Sequence, residues 1–575
     1  MRNSLFAVTV VAVAVVTSTM SGTAMAASAS ANIRVTQDRA STYVSADQMA
    51  GGTYTDGVLS RCGVDRRMQN EPTVAVDPRN PRVWTSGSND YCTVPTAGDA
   101  WTGYYRSTDA GGHWVDSLVP GYAGDNSTQA AGSPLHQMAL KGAIGAGDPE
   151  QAWDGAGRLF YMGNNLSRGT PDGKSFRTRS NFGSIWVTTY APGDPADSAT
   201  DGSKFVRTVL LATNTSGNGQ SNDKTGLAVD QNTGYVYAAW SVFHGTGCNE
   251  IDFARSTDHG ATFSAPMKVS SGICLNQGPY MAIGPNGQVY LSWEGTTGRS
   301  TESSVHGAAF AVSTNHGVTF GKARLVATYA AFVSGLFSGN GARECGDPPL
   351  DCPTGFTFPR FDLAGPTIAA DNSSGSIVLV FPVRLPSGQG QLQSVRSTNG
   401  GVTWSQTPTA VAPSESGHQF FPWATASAGR ISLIWYDSRG DDNYSPTRPP
   451  CNNASGMTTA CLNVEYASST DGGQTWVGPT QVTDTPTNPD LEQFGGRLVP
   501  FFGDYITVSA VGDTIATVWT DQRDAVLAPD GSADNDGADV AGDPETGGSC
   551  TSAVTTCFDG TGGLDQNIYS AAVTP

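Results

Sequence analysis

Ser313-Thr314-Asn315-His316-Gly317-Val318-Thr319-Phe320 decides the fold, because the chain writes it five times. The other copies are Ser107-Thr108-Asp109-Ala110-Gly111-Gly112-His113-Trp114, Ser256-Thr257-Asp258-His259-Gly260-Ala261-Thr262-Phe263, Ser397-Thr398-Asn399-Gly400-Gly401-Val402-Thr403-Trp404 and Ser469-Thr470-Asp471-Gly472-Gly473-Gln474-Thr475-Trp476. The common pattern is Ser-x-Asp/Asn-x-Gly-x-x-Trp/Phe. An Asp or Asn side chain accepts hydrogen bonds from the amides of its own turn. The Gly supplies a backbone angle that side chains disfavour. The aromatic then packs where the next strand begins. A hairpin repeated at this scale implies a row of near-identical sheets.

The pattern resembles the Asp box of bacterial neuraminidase (sialidase) repeats, and the entry phrases Asn70-Glu71-Pro72, Gly147-Asp148-Pro149, Asn222-Asp223-Lys224 and Gly503-Asp504-Tyr505 extend the likeness over nearly the whole chain after its first 26 residues. It implies a β-propeller with the Asp boxes on the rim, away from the central site. The residues preceding the turns support the count. Seven first strands are legible, beginning at Pro72, Gln151, Thr225, Tyr280, Thr367, Ala424 and Ile506. Second strands such as Tyr235–Trp240, Val289–Trp293, Ile431–Trp435 and Ile515–Trp519 are rich in β-branched and aromatic residues, which are strand signals. The second and seventh repeats lack an Asp box. The seventh stops after three strands, and residues 32–38 resemble the missing fourth. The expectation is an all-β chain, a single β-propeller of seven blades over residues 27–575, closed by an N-terminal strand. Six blades, the number in true sialidases, is the alternative.

Composition sets limits. Glycine is 70 of 575 residues, against ~7% in an average chain, and charged residues are 14%, against ~25%. Both fit a turn-rich β protein. The formal charge of −19 argues against nucleic acid or an anionic membrane as partner. Arg2, the apolar run from Leu5 to Val16 and Ala24-Met25-Ala26 read as a secretory signal peptide over residues 1–26, so the expected location is extracellular. Ten cysteines fall into neighbouring pairs: Cys62/Cys92, Cys248/Cys274, Cys345/Cys352, Cys451/Cys461 and Cys550/Cys557. Disulfides suit that compartment, and no zinc-type spacing is present.

In a propeller the first strands line a central channel, and their entry ends converge on one mouth. The residues at those entries are therefore the candidates. They include Arg66, Arg67 and Glu71; Asp148 and Glu150; Asp223 and Lys224; Tyr280; Arg360; His418, Gln419 and Trp423; and Arg497, Asp504 and Tyr505. Carboxylates, a Tyr, a His and arginines around one mouth suit acid–base work on a glycosidic bond. The same groups also suit capping of strand ends.

The sialidase resemblance implies three arginines on a substrate carboxylate, a Tyr nucleophile activated by a Glu, and an Asp acid/base. The chain lacks the family's Phe-Arg-Ile-Pro motif, and Phe358-Pro359-Arg360-Phe361 is a mid-chain echo of it. Across these readings, from strand-entry position and resemblance together, the catalytic candidates are Tyr505, Asp504, Glu71, Asp148, Tyr280 and His418. The substrate-binding candidates are Arg67, Lys224, Asp223, Arg360, Gln419 and Arg497. The expected activity is that of a secreted glycosidase of exo-α-sialidase type. The alternatives are a lyase or non-sialic glycosidase, or a non-catalytic propeller that binds glycan or protein. In the lyase form, His418 and Tyr505 act as acid and base, and Lys224 neutralises a uronate. No redox cofactor and no catalytic metal are expected, and the chain is read as a monomer. The acidic stretch with Asp534, Asp536 and Asp539 is read as a flexible insertion, with a structural Ca²⁺ site as its rival. Asp437/Arg439 and Asp521/Arg523, two apart on a strand face, are read as structural ion pairs.

Overall fold

The computed structural model describes residues 27–37, 43–63, 68–167, 182–214, 220–244, 248–299, 304–330, 365–446, 450–451, 459–489, 493–494, 499–500, 503–525 and 566–575. Residues 1–26, read above as a signal peptide, lie outside them, as do the acidic stretch and two of the cysteine pairs. The remaining pairs are disulfides: Cys62–Cys92, Cys248–Cys274 and Cys451–Cys461. No helix among the described residues is long and apolar enough to cross a membrane.

Seven antiparallel sheets stand in a ring, so the chain is a seven-bladed β-propeller. The innermost strands are Gln69–Val76, Gly145–Trp153, Gln220–Val229, Cys274–Ile283, Thr367–Asp371, Gln419–Ser427 and Thr507–Val511. Each touches the innermost strand of the blade before and the blade after, and the seventh touches the first. Blades 1 to 6 take four consecutive strands. Blade 7 takes Thr507–Val511, Thr514–Asp521 and Asn567–Thr574 from the C-terminal end, and Ser28–Ala29 and Ile33–Arg34 from the N-terminal end. The expected closing strand is therefore present, but it starts earlier than residue 32 and is broken in two. Ser28 pairs with Thr574 and Ile33 with Ser570, and Val35 N donates to Ile568 O at 2.7 Å. This closure leaves no long free edge between first and last blades.

The five repeated turns share one hydrogen-bond scheme. In the third, Ser313 Oγ donates to Asn315 Oδ1 at 2.9 Å, Gly317 N donates to Ser313 Oγ at 2.9 Å, and Thr319 N donates to Asn315 Oδ1 at 3.0 Å. The same bonds hold Ser107/Asp109, Ser256/Asp258, Ser397/Asn399 and Ser469/Asp471. Gly317 has φ +75°, and a Cβ there would meet Phe253 of the preceding blade at 2.8 Å. Phe320 then packs edge-on against that Phe253, 4.8 Å between centroids, and Trp404 does so against Phe310 at 5.0 Å. The turns thus dock each blade on the one before. Blade 2 has no such turn. There Tyr104 of blade 1 donates to Gly202 O at 2.6 Å, and Arg79 of blade 1 grips Asp201. Fully buried tryptophans on second strands, Trp84, Trp240, Trp293, Trp435 and Trp519, fill the layers between blades; each is worth several kcal/mol of burial, roughly 3–5 by the cost of truncation.

The entry ends are irregular in a repeated way. Pairing between first and second strands slips at Asn70/Thr73, Gly147/Glu150, Asp223/Thr225, Gln277/Tyr280 and Phe420/Trp423. Each slip contains a left-handed residue: Glu71 (φ 55°), Asp148 (φ 50°), Lys224 (φ 50°), Gly278 (φ 66°) and Phe421 (φ 53°). A bulge of this kind re-aims a side chain and is frequent beside functional sites. Left-handed backbone at a non-glycine residue costs on the order of 1–3 kcal/mol. Three charged residues carry that cost at one mouth.

Candidate functional site

The bulges of blades 1, 2 and 3 bring Glu71, Asp148 and Lys224 together, and blade 7 adds Asp504. Lys224 Nζ lies 3.0 Å from Asp148 Oδ1, 2.5 Å from Asp504 Oδ2 and 3.9 Å from Glu71 Oε1. Lys224 N donates to Asp223 Oδ1 at 3.0 Å and to Asp148 Oδ2 at 3.3 Å. Gly503, in left-handed backbone, makes room for this. A Cβ on it would lie 2.8 Å from both the Cγ and the amide nitrogen of Glu71.

Two asparagines that sequence reading missed complete the cluster. Asn89 Nδ2 donates to Glu71 Oε2 at 2.9 Å, while Asn89 Oδ1 accepts from Asp148 N at 3.0 Å. Asn164 Nδ2 donates to Asp148 Oδ2 at 2.6 Å and to Asp223 Oδ1 at 2.9 Å. Both sit at the ends of second strands, opposite the bulges. Their signal was available: Asn is depleted in strands, yet Asn89 and Asn164 fall where two aligned strands end.

The carboxyl groups of the cluster are driven apart. Burial raises Glu71 well above the usual carboxylate range, and the neighbouring charges of Asp148 and Asp504 add to this against Lys224. For Asp148, burial acts upward too, but the Lys224 ammonium and hydrogen bonds from its neighbours outweigh it and hold the group ionised. Burial alone would neutralise Lys224; Asp148, Asp504 and Glu71 keep it charged, so it is an ammonium donor and not an amine nucleophile. Glu71 and Asp148 are hydrogen-bonded to each other, so a protonated carboxyl stands beside an ionised one.

Across the mouth the wall is aromatic. Tyr280 of blade 4 packs edge-on against Trp423 of blade 6, 5.0 Å between centroids, and Trp423 lies 6.0 Å from Tyr505 of blade 7. Burial keeps both phenols protonated. Tyr505 OH reaches Pro149 O at 3.4 Å. The close Tyr–Glu contact among the described residues lies elsewhere, on blade 4, where Tyr329 OH donates to Glu294 Oε2 and His306 Nδ1 meets Glu294 Oε1 at 3.0 Å.

Of the expected site residues, Glu71, Asp148, Asp223, Lys224, Asp504, Tyr505 and Tyr280 converge. His418 and Gln419 do not join them. His418 Nδ1 accepts from Gly390 N at 3.0 Å and its Nε2 lies 3.3 Å from Ser445 O. Gln419 bonds Leu392 N, Ala412 O and Asp437 Oδ2. Both are buried and tie backbone inside the fold, so neither offers a ring or amide atom to a ligand. Arg67, Arg360 and Arg497 lie outside the described residues, as does Arg66. Asp437 and Asp521 each accept from an arginine two residues on, Arg439 at 2.5 Å and Arg523 at 2.7 Å. Each also accepts from a buried indole, Trp435 or Trp519, so these are structural pairs. Among the described residues no group of three His, Cys, Asp or Glu side chains is placed to hold a metal.

No family model matches the chain, and no curated protein matches it. Among solved structures it is similar to the Hadza microbial sialidase Hz136, at 10% identity over 76% of this chain and 73% of that one, TM-score 0.38. It is similar to a PL25 ulvan lyase at 12% identity, 79% and 91% coverage and TM-score 0.40. It is also similar to the BP39L lectin of Burkholderia pseudomallei, at 10% identity, 80% and 94% coverage and TM-score 0.41. These proteins differ in what they do, and none of the likenesses assigns this chain an activity.

Proposed function

We propose that the chain is a glycan-active enzyme, a glycoside hydrolase working at the charged mouth of the propeller. The observation that carries this is the buried cluster in which Glu71, Asp148 and Asp504 surround Lys224, opposite an aromatic wall of Tyr280, Trp423 and Tyr505. A sugar presents an apolar C–H face and a polar hydroxyl edge, which fit an aromatic wall and a carboxyl wall respectively. Glu71 gives its proton to the glycosidic oxygen as the C–O bond breaks. The Glu71 carboxylate so formed takes the proton of the attacking water, whose oxygen ends on the anomeric carbon, while Asp148, hydrogen-bonded to Glu71, stays ionised and balances the positive charge of the transition state. Lys224 fixes the charge of Asp148. The specific form of the reading is exo-α-sialidase action, with Arg67, Arg360 and Arg497 binding the substrate carboxylate and Tyr505 or Tyr280 supplying the nucleophile in place of water.

The test is hydrolysis of fluorogenic glycosides by the secreted protein, starting with the N-acetylneuraminic acid derivative and followed by neutral hexosides. Loss of ~10²-fold or more in kcat for Glu71→Gln and Asp148→Asn supports the reading. Turnover of the sialoside that also falls with Arg360→Ala supports the sialidase form. No turnover of any glycoside by folded protein removes the reading in favour of a binding propeller.

A further inference from the structure

Below the charged mouth the channel holds a cavity of about 330 Å³. It reaches from Glu150 and Trp423 near the entry ends to Asp230 and Asn372 at the turns between first and second strands. Its wall is the lower half of all seven innermost strands. It lies within the size range of ligand pockets, roughly 300–1,000 Å³.

Glu150 is the anomaly in that wall. Its residue is 8% exposed, yet its side chain has no hydrogen bond or ion pair among the described residues. Its carboxyl oxygens are not among the fully buried side-chain atoms left without a partner, so they open onto the cavity, where a ligand can bond them. Burial, with Asp148 nearby, raises its carboxyl well above the usual carboxylate range. It therefore faces the cavity as a neutral acid, with one O–H to donate and a carbonyl oxygen to accept. None of the cavity's described lining residues is basic, so nothing there compensates an anion.

We propose that this cavity is a second binding site, which takes a neutral hydroxylated ligand of monosaccharide size, with Glu150 bonding a hydroxyl and Trp423 covering its apolar face. The site does not depend on hydrolysis at the mouth: a chain with no glycosidase activity still binds there, and an active one does not need it.

The probes are D-glucose, D-galactose and N-acetyl-D-glucosamine, with D-glucuronate as the anionic comparison, followed by saturation-transfer NMR and calorimetry on the full chain. At least one neutral sugar binds, and glucuronate binds at least about tenfold more weakly. Ala370→Leu fills the cavity far from the mouth and abolishes binding; Glu150→Leu weakens it about tenfold. Should those variants fail to fold, Glu150→Gln decides. It keeps a donor and an acceptor, so its affinity is independent of pH, whereas wild-type affinity falls as Glu150 ionises. Absence of binding by every neutral sugar, equal binding of glucuronate, unchanged binding in Ala370→Leu, or identical pH profiles for wild type and Glu150→Gln overturns the proposal.

Discussion

Lys224 Nζ lies 2.5 Å from Asp504 Oδ2, although 280 residues separate them in the chain. Blade 3 thereby reaches across the mouth to blade 7, and the same ammonium serves Asp148 of blade 2. One cation ties blades 2, 3 and 7 at the mouth, beside the Asn89 and Asn164 bonds that join blade 1 to blade 2 and blade 2 to blade 3.

Removing that cation leaves buried carboxylates without compensation. Lys224→Met is therefore expected to destabilise the fold by about 3–5 kcal/mol, read as a fall in the urea midpoint at unchanged slope. Adding Asp148→Asn and Asp504→Asn to it recovers much of the loss, because the uncompensated charges go with it. An unchanged midpoint in Lys224→Met refutes the tie.

The N-terminal latch makes a second prediction. Asn32 N donates to Asp484 Oδ2 at 3.1 Å and Asn32 Nδ2 to Val482 O at 2.9 Å, so the closing strand of blade 7 is pinned to blade 6. Arg523 bonds both Asp484 and Asn32. Asn32→Ala costs about 1–2 kcal/mol. Deleting residues 27–36 exposes the edge of Asn567–Thr574 and leads to aggregation, measured by light scattering.

The docking turns give a third. Gly401 has φ +82°, and its Cβ would meet Phe310 at 2.4 Å. Gly401→Ala is expected to cost more than the ~1 kcal/mol of a left-handed alanine alone, because blade 5 must lift from blade 4. A Tm equal to that of the wild type contradicts the docking role.

His418 sets a pH dependence. Burial pushes its pKa down to about 4, below the ordinary 6.5 of the unfolded chain. A depressed pKa in the folded state contributes stability that is present above pH 6.5 and lost as pH falls from 6.5 to 4. The loss amounts to roughly 3 kcal/mol. Unfolding measured between pH 7 and 4 shows it, and His418→Gln flattens that part of the curve.

The repeated turns made the fold legible, because Ser-x-Asp-x-Gly is a local device whose bonds close within five residues. The seven first strands were also legible, but too short. Alternation stops at Thr73 or Thr225, while pairing continues beyond a bulge to Gln69 and Gln220. That bulge is a backbone feature, and its sequence trace is a proline after the left-handed residue, as in Glu71-Pro72, Asp148-Pro149 and Phe421-Pro422. It places Glu71, Asp148 and Lys224 at the mouth, and those residues were named from position alone. His418 and Gln419 were named on the same ground and sit elsewhere, because a polar residue at a strand entry serves backbone as readily as ligand. Asn89 and Asn164 escaped notice because their role depends on cross-strand register.

Whether the Glu71–Asp148 pair at the mouth performs acid–base chemistry on glycans is decided by the turnover of fluorogenic sialosides and neutral hexosides by wild type and Asp148→Asn. Wild type is expected to release the fluorophore from at least one glycoside, and the variant to do so at least ~10²-fold more slowly. Equal turnover by both proteins, or none by a folded wild type, contradicts that expectation.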